Sequence, residues 1–165
     1  MKKRVLFLSI AAVILCLLAW RLYPRPFSGI SPVDTDSITK ISGYLGISGV
    51  ENGEARIDSY ELDSTQLPEE ALEELLTILN STRYQPDFRN LLPWGVDSLG
   101  GGKHSDGRTV NLYLFRENDA FSVGFLSIGN LYVDNGAAPG FRIYHPTNRE
   151  MFDDLVEYCQ TYGKE

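Results

Sequence analysis

The pattern of hydrophobic and polar positions divides the chain into an apolar start, a proline-containing stretch and a patterned remainder. Residues 1–23 contain an uncharged run from Val5 to Trp20. Residues 24–36 contain three prolines among small and polar residues, which is typical of a linker. From residue 37 to residue 165, apolar positions recur with the periods of helices and strands. The pattern therefore predicts an N-terminal anchor (1–23), a linker (24–36) and one folded domain (37–165).

The apolar run predicts a single transmembrane helix. It has 16 residues, about 24 Å of helix, against a hydrocarbon core of about 30 Å. Snorkelling of the flanking basic side chain and interfacial placement of the indole would let the segment span. Basic residues precede the run, which places the N-terminus in the cytoplasm and the domain outside the cell membrane. The anchor residues are Lys2, Lys3, Arg4, Trp20 and Arg21.

Two other interpretations of the N-terminus stay open. A cleaved secretory signal needs small residues before the cleavage site, and Ala19-Trp20-Arg21 is a poor match. Lipidation at Cys16 is the third interpretation, although Leu15 stands where lipoprotein signals usually carry a small residue. All three interpretations export the domain.

The remainder predicts an α+β domain with an antiparallel sheet of about five to six strands. One amphipathic helix over Pro68–Leu79 carries leucines at helical spacing. A second helix follows a capping box at Thr147–Glu150 and runs to about Tyr162. Because hairpin connections dominate, both helices should lie on one face of the sheet. The predicted strands are 37–47 with a bulge near Gly43, 55–62 with Ile57, Tyr60 and Leu62 facing in, and 108–116, 120–128, 131–134 and 141–145.

Charge restricts the partners of the domain. Residues 26–165 hold 10 basic and 22 acidic residues, a net charge of −12. A domain of this charge repels phosphate backbones, so we expect no binding of nucleic acid. Solubility explains the acidic surface, and attraction of a cationic partner is the alternative.

The usual catalytic and metal-binding signatures are absent from the sequence. Gly100–Lys103 lacks the remaining positions of a phosphate loop. His104 and His145 have no further ligand at zinc spacing, and Cys16 and Cys159 are too differently placed to pair. We therefore expect no catalytic residue, no metal and no cofactor.

The stretch 80–107 is the candidate binding region. It is long for a connection without secondary structure, which is typical of functional or disordered loops, and its aromatic residues argue against disorder. Trp94 between proline and glycine is a candidate wall of a cleft, with His104 and Asp106 as polar neighbours. A packing role for the indole is the competing interpretation.

Several segments together resemble a family. The basic, apolar start is followed by LPEEALEELLTILNST, by the strands VNLYLF and FSVGFL, and by FRIYHP before the last helix. This order resembles small membrane-anchored or lipoprotein-like extracytoplasmic domains of unknown function from Gram-positive bacteria, particularly clostridia. The resemblance implies a cell-surface setting and no activity.

The sequence as a whole favours a non-enzymatic, membrane-tethered domain that binds a protein or small ligand at the cell envelope. An envelope hydrolase that uses the 80–107 loop is the first alternative. An immunity or inhibitor protein for a cationic partner is the second, and the net charge of −12 favours it.

Overall fold

The computed structural model describes residues 2–32, 34–51, 54–91, 107–116, 119–126, 131–134 and 142–165. Within these ranges the chain forms three α-helices and seven strands. The helices are α1 (Lys2–Arg21), α2 (Glu69–Asn80) and α3 (Glu150–Tyr162). The strands are β1 (Lys40–Glu51), β2 (Glu54–Leu62), β3 (Tyr84–Pro86), β4 (Arg108–Arg116), β5 (Asp119–Leu126), β6 (Leu131–Asp134) and β7 (Arg142–Pro146).

The seven described strands form one antiparallel sheet in the order β2-β1-β4-β5-β6-β7-β3. The predicted α+β class with an antiparallel sheet is confirmed. The strand count exceeds the prediction because β3, three residues ending in Pro86, pairs at the edge of the sheet with β7. Proline is tolerated on an edge strand but weakens the sequence pattern by which strands are recognised. An isolated stretch of this length carries no alternation to detect.

The hydrophobic core lies between one face of the sheet and the helices α2 and α3. Strand β4 contributes Val110, Leu112 and Leu114, all fully buried, and α2 contributes Leu75 and Leu79. Helix α3 packs against α2 and against β1 and β2. Its stripe of Phe152, Leu155, Val156 and Cys159 is buried in the same cluster. The periodic apolar residues of the sheet and of both helices therefore pack into a single core.

The stretch 24–36 contributes to this core. Phe27 is fully buried and Ile30 nearly so. The ring of Phe27 meets that of Tyr84 edge to face, with centroids 6.1 Å apart. Packing of this kind holds the chain that follows α1 against strand β3.

Three local predictions are wrong. Pairing of β1 with β2 runs without interruption from Gly43 to Glu51, so there is no bulge near Gly43. Gly43 instead allows close packing, since a Cβ there would lie 2.3 Å from the backbone oxygen of Asn111. The Ile57 side chain is 73% exposed, because it lies one position out of phase with the buried Leu62.

The third wrong prediction is the capping box before α3. Helix α3 begins at Glu150, so this residue occupies the first turn and its side chain cannot reach back as the box requires. Asn148 Oδ1 accepts a hydrogen bond from the Glu150 amide at 3.0 Å instead. Thr147 Oγ1 lies 3.3 Å from Thr82 Oγ1 and links the helix start to the end of α2.

The predicted transmembrane helix is not confirmed. Within the part of the chain that the structure describes, no helix combines the length and apolar character that crossing a membrane requires. Helix α1 is present, but the uncharged run within it, Val5–Trp20, is short for a span.

Candidate functional site

The three residues predicted to bind a ligand, Trp94, His104 and Asp106, lie outside the described residues. Their prediction is therefore untested. The described part of the same loop, residues 80–91, instead builds a site that the sequence did not indicate. It does so together with the end of α1 and strand β7.

The site is a cleft of about 360 Å³ between the C-terminal end of α1 and the sheet edge formed by β7 and β3. Its volume is at the lower end of the range typical of small-ligand pockets. Residues from distant parts of the sequence meet in its wall, and they include Trp20, Arg21, Arg25, Asp87, Arg142 and Tyr144.

Main-chain hydrogen bonds hold the segment that follows α1 against β3. The amide of Arg25 donates to the Tyr84 carbonyl at 3.1 Å, and the Tyr84 amide donates to the Arg25 carbonyl at 2.7 Å. The side-chain amide of Gln85 donates to the Leu22 carbonyl. Arg25 then folds back so that its guanidinium carbon lies 5.2 Å from the centre of the Trp20 ring, a cation–π contact. These bonds fix the cationic and aromatic side of the cleft.

Asp87, directly after β3, is a buried carboxylate at the centre of a polar cluster whose other members, Arg89 and His145, are partly exposed. Its side chain is 7% exposed. Oδ1 accepts hydrogen bonds from the backbone amide and Nε of Arg89, at 2.8 and 2.9 Å. Oδ2 accepts from Arg89 Nη2 at 2.8 Å and lies 3.0 Å from His145 Nε2. Burial of a carboxylate is tolerated here because each oxygen has two partners.

The same cluster sets the charge of Asp87. The side-chain hydrogen bonds from Arg89 lower the pKa of the Asp87 carboxyl well below its usual range, and burial opposes them. The Arg89 amide and His145 add to the lowering. Asp87 is therefore a carboxylate at neutral pH, and a poor general acid.

Asn90 fastens the short 3-10 helix Phe88–Leu91 to strand β7. Its Oδ1 accepts from the amide of Ile143 at 2.9 Å, and its Nδ2 donates to the Ile143 carbonyl at 2.6 Å. The side chain thus pairs with the main chain of Ile143, whose carbonyl also accepts from the Asp87 amide at 3.0 Å. In return, Arg142 Nη1 donates to the Asn90 carbonyl at 2.7 Å, which holds the guanidinium at the cleft.

The cleft is cationic although the domain is acidic. Among the described residues, Arg21, Arg25 and Arg142 line it, and the one acid in its wall, Asp87, is paired with Arg89. Burial raises the pKa of the Tyr144 phenol, while Arg142 and Arg25 act to lower it. Both arginines line the same cleft as this phenol, which is neutral at physiological pH. Such a site suits an anion.

Metal binding finds no support in the described ranges. Among those residues, no group of three or more His, Cys, Asp and Glu side chains could hold a metal ion. Carboxylates and imidazoles are the ligands that most metals need, and the cleft is lined instead by guanidinium groups.

A second depression lies on the open face of the sheet. Its volume is about 380 Å³, and its walls include Ser42, Tyr44, Glu61 and Tyr113. The two tyrosine side chains are partly exposed. It contains one acidic residue and no basic residue among those walls, so it lacks the concentration of charge found in the cleft.

Sequence reasoning missed the residues of the cleft for identifiable reasons. The position of Arg21 after an apolar run is typical of an anchor flank, and Asp87, Arg89 and Asn90 follow no periodicity. His145 and Arg142 lie more than 50 residues further on. The sequence feature that points to the site is the segment DFRN, with three polar residues in four, inside the long 80–107 stretch.

Comparison with known proteins assigns the chain to no group. No protein-family model, no curated protein and no solved structure matches it.

Proposed function

We propose that this chain is a membrane-tethered extracytoplasmic binding domain, with α1 in the membrane and the cleft at the base of the domain as its ligand site. The observation that carries the proposal is the exposure of α1. Its large apolar side chains are 38–72% exposed between Leu6 and Trp20, on every side of the helix. A helix that is apolar all round normally lies inside a protein or a membrane.

The geometry of the helix ends supports insertion. The apolar run is short, so the proposal requires the basic flanks to snorkel toward the interfaces. Arg21, Trp20 and Tyr23 stand at the end nearest the domain, where aromatic and basic side chains reach the headgroup region. The basic residues before the run favour a cytoplasmic N-terminus. The domain and its cleft would then stand outside the cell, as in the Gram-positive surface proteins that the sequence resembles.

The chemistry of the cleft supports binding rather than catalysis. Its charged groups are guanidinium ions, which do not exchange protons at physiological pH, and an Asp87 carboxylate already held by Arg89 and His145. General acid–base catalysis needs a group that titrates near the working pH. The lining therefore suits the recognition of a charged ligand, either small or carried by a protein.

Protease accessibility in protoplasts tests the tether and its orientation. Protease added outside should remove the domain, while alkaline carbonate should leave the chain in the membrane fraction. The control replaces Leu8 and Leu15 by arginine, both in the exposed middle of α1, and should release a folded domain into the soluble fraction. A protected C-terminus, or complete extraction of the native chain by carbonate, would overturn the proposal.

One observation favours an envelope hydrolase as the second candidate. His145 Nε2 lies 3.0 Å from the buried Asp87 carboxylate, and a carboxylate that orients a histidine is a recurring part of catalytic triads. Incubation with cell-envelope extract distinguishes the two functions. Turnover that His145→Gln abolishes would establish the enzyme, whereas stable association without turnover supports the binding domain.

A further inference from the structure

We propose that the cleft binds a phosphate group, held by Arg21, Arg25 and Arg142. The inference deepens the proposed function, on which it rests for the identity of the cleft as a ligand site. A phosphomonoester or phosphodiester is the ligand chemistry, and it can come from a lipid headgroup or from a free phosphate compound.

The first support is convergence. Arg21 ends α1, Arg25 follows it, and Arg142 begins β7, yet all three line one cavity of about 360 Å³. Each guanidinium has five N–H donors in a planar fork that matches phosphate oxygens. In the described part of the chain, Arg25 gives a side-chain hydrogen bond to the Trp20 carbonyl and Arg142 gives one to Asn90. These bonds orient the forks and leave further donors for a ligand.

The second support is charge placement. Five of the ten arginines of the chain occur in this one region: Arg21, Arg25, Arg83, Arg89 and Arg142. The domain carries a net charge of −12, so this concentration opposes its overall charge. Repulsion by distant acids is screened beyond about 8 Å at physiological ionic strength. Within the cleft, the local guanidinium groups therefore dominate the potential that an anion meets.

The acid in the wall does not reverse this potential. Asp87 is bonded at both oxygens by Arg89 and faces His145, so its charge is balanced inside the cluster. The Tyr144 phenol stays protonated because burial raises its pKa, which makes it a neutral donor beside the arginines. Among the described lining residues, the cleft thus presents three guanidinium groups and the Tyr144 side chain.

The position of the cleft is the third support. Trp20 lies in its wall, at the end of the helix proposed to insert in the membrane. Tryptophan at a helix end typically lies at the depth of the headgroups. The arginines would therefore stand where lipid phosphates are concentrated.

Fluorescence of Trp20 tests the site directly. The full chain with Trp94→Phe, which leaves Trp20 as its single tryptophan, is titrated with inorganic phosphate in maltoside micelles against sodium chloride of equal ionic strength. We expect a saturable change with phosphate and none with chloride. Absence of a phosphate-specific change would overturn the proposal.

Charge-matched variants distinguish a specific phosphate site in the cleft from non-specific electrostatic attraction to the protein surface. Arg25→Gln and Arg142→Gln should each weaken phosphate binding by about tenfold or more, because each removes charge-assisted hydrogen bonds. Arg142→Lys, which keeps the charge and loses the fork, should lie between. The control is Arg56→Gln on β2, where Arg56 pairs with Asp58 at 2.8 Å, and it should change binding less than twofold. An equal loss in the control would overturn the proposal, and circular dichroism establishes that each variant is folded.

Nanodiscs identify the source of the phosphate. In phosphatidylcholine discs containing phosphatidic acid, a lipid ligand should occupy the cleft, so that added inorganic phosphate no longer changes Trp20 fluorescence. A response retained in these discs would assign the site to free phosphate compounds. Carbonate extraction tests the tether independently of the site. A chain that binds phosphate but is extracted by carbonate would overturn the tether and support the phosphate site. A chain that resists carbonate but does not bind phosphate would support the tether and overturn the phosphate site.

Discussion

Helices α1 and α2 use the same apolar residue in opposite ways. Leu75 and Leu79 of α2 are fully buried against the sheet, whereas Leu8 and Leu15 of α1 are each 66% exposed. Helix α2 also carries glutamates on its outer face, and α1 carries no acid. A helix with one apolar stripe buries that stripe against its own domain. A helix that is apolar all round normally lies inside a protein or a membrane. Helix α2 therefore belongs to the core of the domain, whereas α1 leaves its apolar surface exposed, as the proposed insertion in a membrane requires.

The segment that follows α1 nevertheless attaches to the domain. Paired main-chain hydrogen bonds join Arg25, which lies beyond the end of α1, to Tyr84 of β3. Beyond that point, Phe27 enters the core. The site of attachment is also the site of the cleft. A ligand in the cleft would therefore contact both the sheet edge of the domain and the C-terminal end of α1.

The largest expected effect compares one leucine from each helix. Leu75→Ala should lower the free energy of unfolding by about 2–5 kcal/mol, because it leaves a cavity in a closed core. Leu15→Ala in α1 should change it by less than about 0.5 kcal/mol. Urea unfolding of the full chain in maltoside micelles, followed by circular dichroism, measures both. Equal costs at the two positions would remove the distinction between the helices.

The two cysteines differ in burial in the same way as the leucines of α1 and α2. Cys159 in α3 is fully buried, and burial raises the pKa of its thiol to about 12, whereas Cys16 in α1 is exposed. Cys159→Ser should cost about 1–3 kcal/mol, since it places a hydroxyl in an apolar site. Cys16→Ser should leave unfolding of the domain nearly unchanged. The same urea titration measures the free energy of unfolding of both variants. A larger loss for Cys16→Ser than for Cys159→Ser would contradict the burial of Cys159 and the exposure of Cys16.

The polar cluster beside the cleft should be the next most sensitive. Asp87→Asn should cost about 1–2 kcal/mol at pH 7, because Arg89 and His145 lose a charged acceptor. The matched control is Asp58→Asn, which removes an exposed ion pair with Arg56 and should cost less than about 0.5 kcal/mol.

The pH dependence of that cost has a definite sign. The folded pKa of Asp87 lies below its ordinary value of about 3.9, so its contribution is present above pH 4 and is lost as the pH falls toward the folded pKa. Unfolding midpoints at pH 7, 4 and 3 should therefore show the wild type approaching Asp87→Asn. A gap that widens on acidification would contradict the ion-paired state.

Features determined by local pattern were predictable from the sequence, and features determined by distant pairing were not. Strands β4 and β6 have the predicted bounds, since alternating apolar residues are visible within each segment. Strand β3 exists because β7, nearly 60 residues later, pairs with it. Asp87 becomes part of a site only when His145 and Arg142 arrive beside it. No window of sequence contains those relations.

The last prediction concerns the open face of the sheet, where the sequence pattern predicts the wrong side for Ile57. Ile57 and Leu62 are five positions apart on β2, and an odd separation places them on opposite faces. Leu62 is 1% exposed, so Ile57, at 73%, must face away from the core. Ile57→Ala should therefore change the free energy of unfolding by less than about 0.5 kcal/mol, whereas Leu62→Ala should cost about 2–5 kcal/mol. Urea midpoints for the two variants show which face of the sheet is buried. A large loss of stability for Ile57→Ala would mean that a further layer covers the face that the described residues leave open.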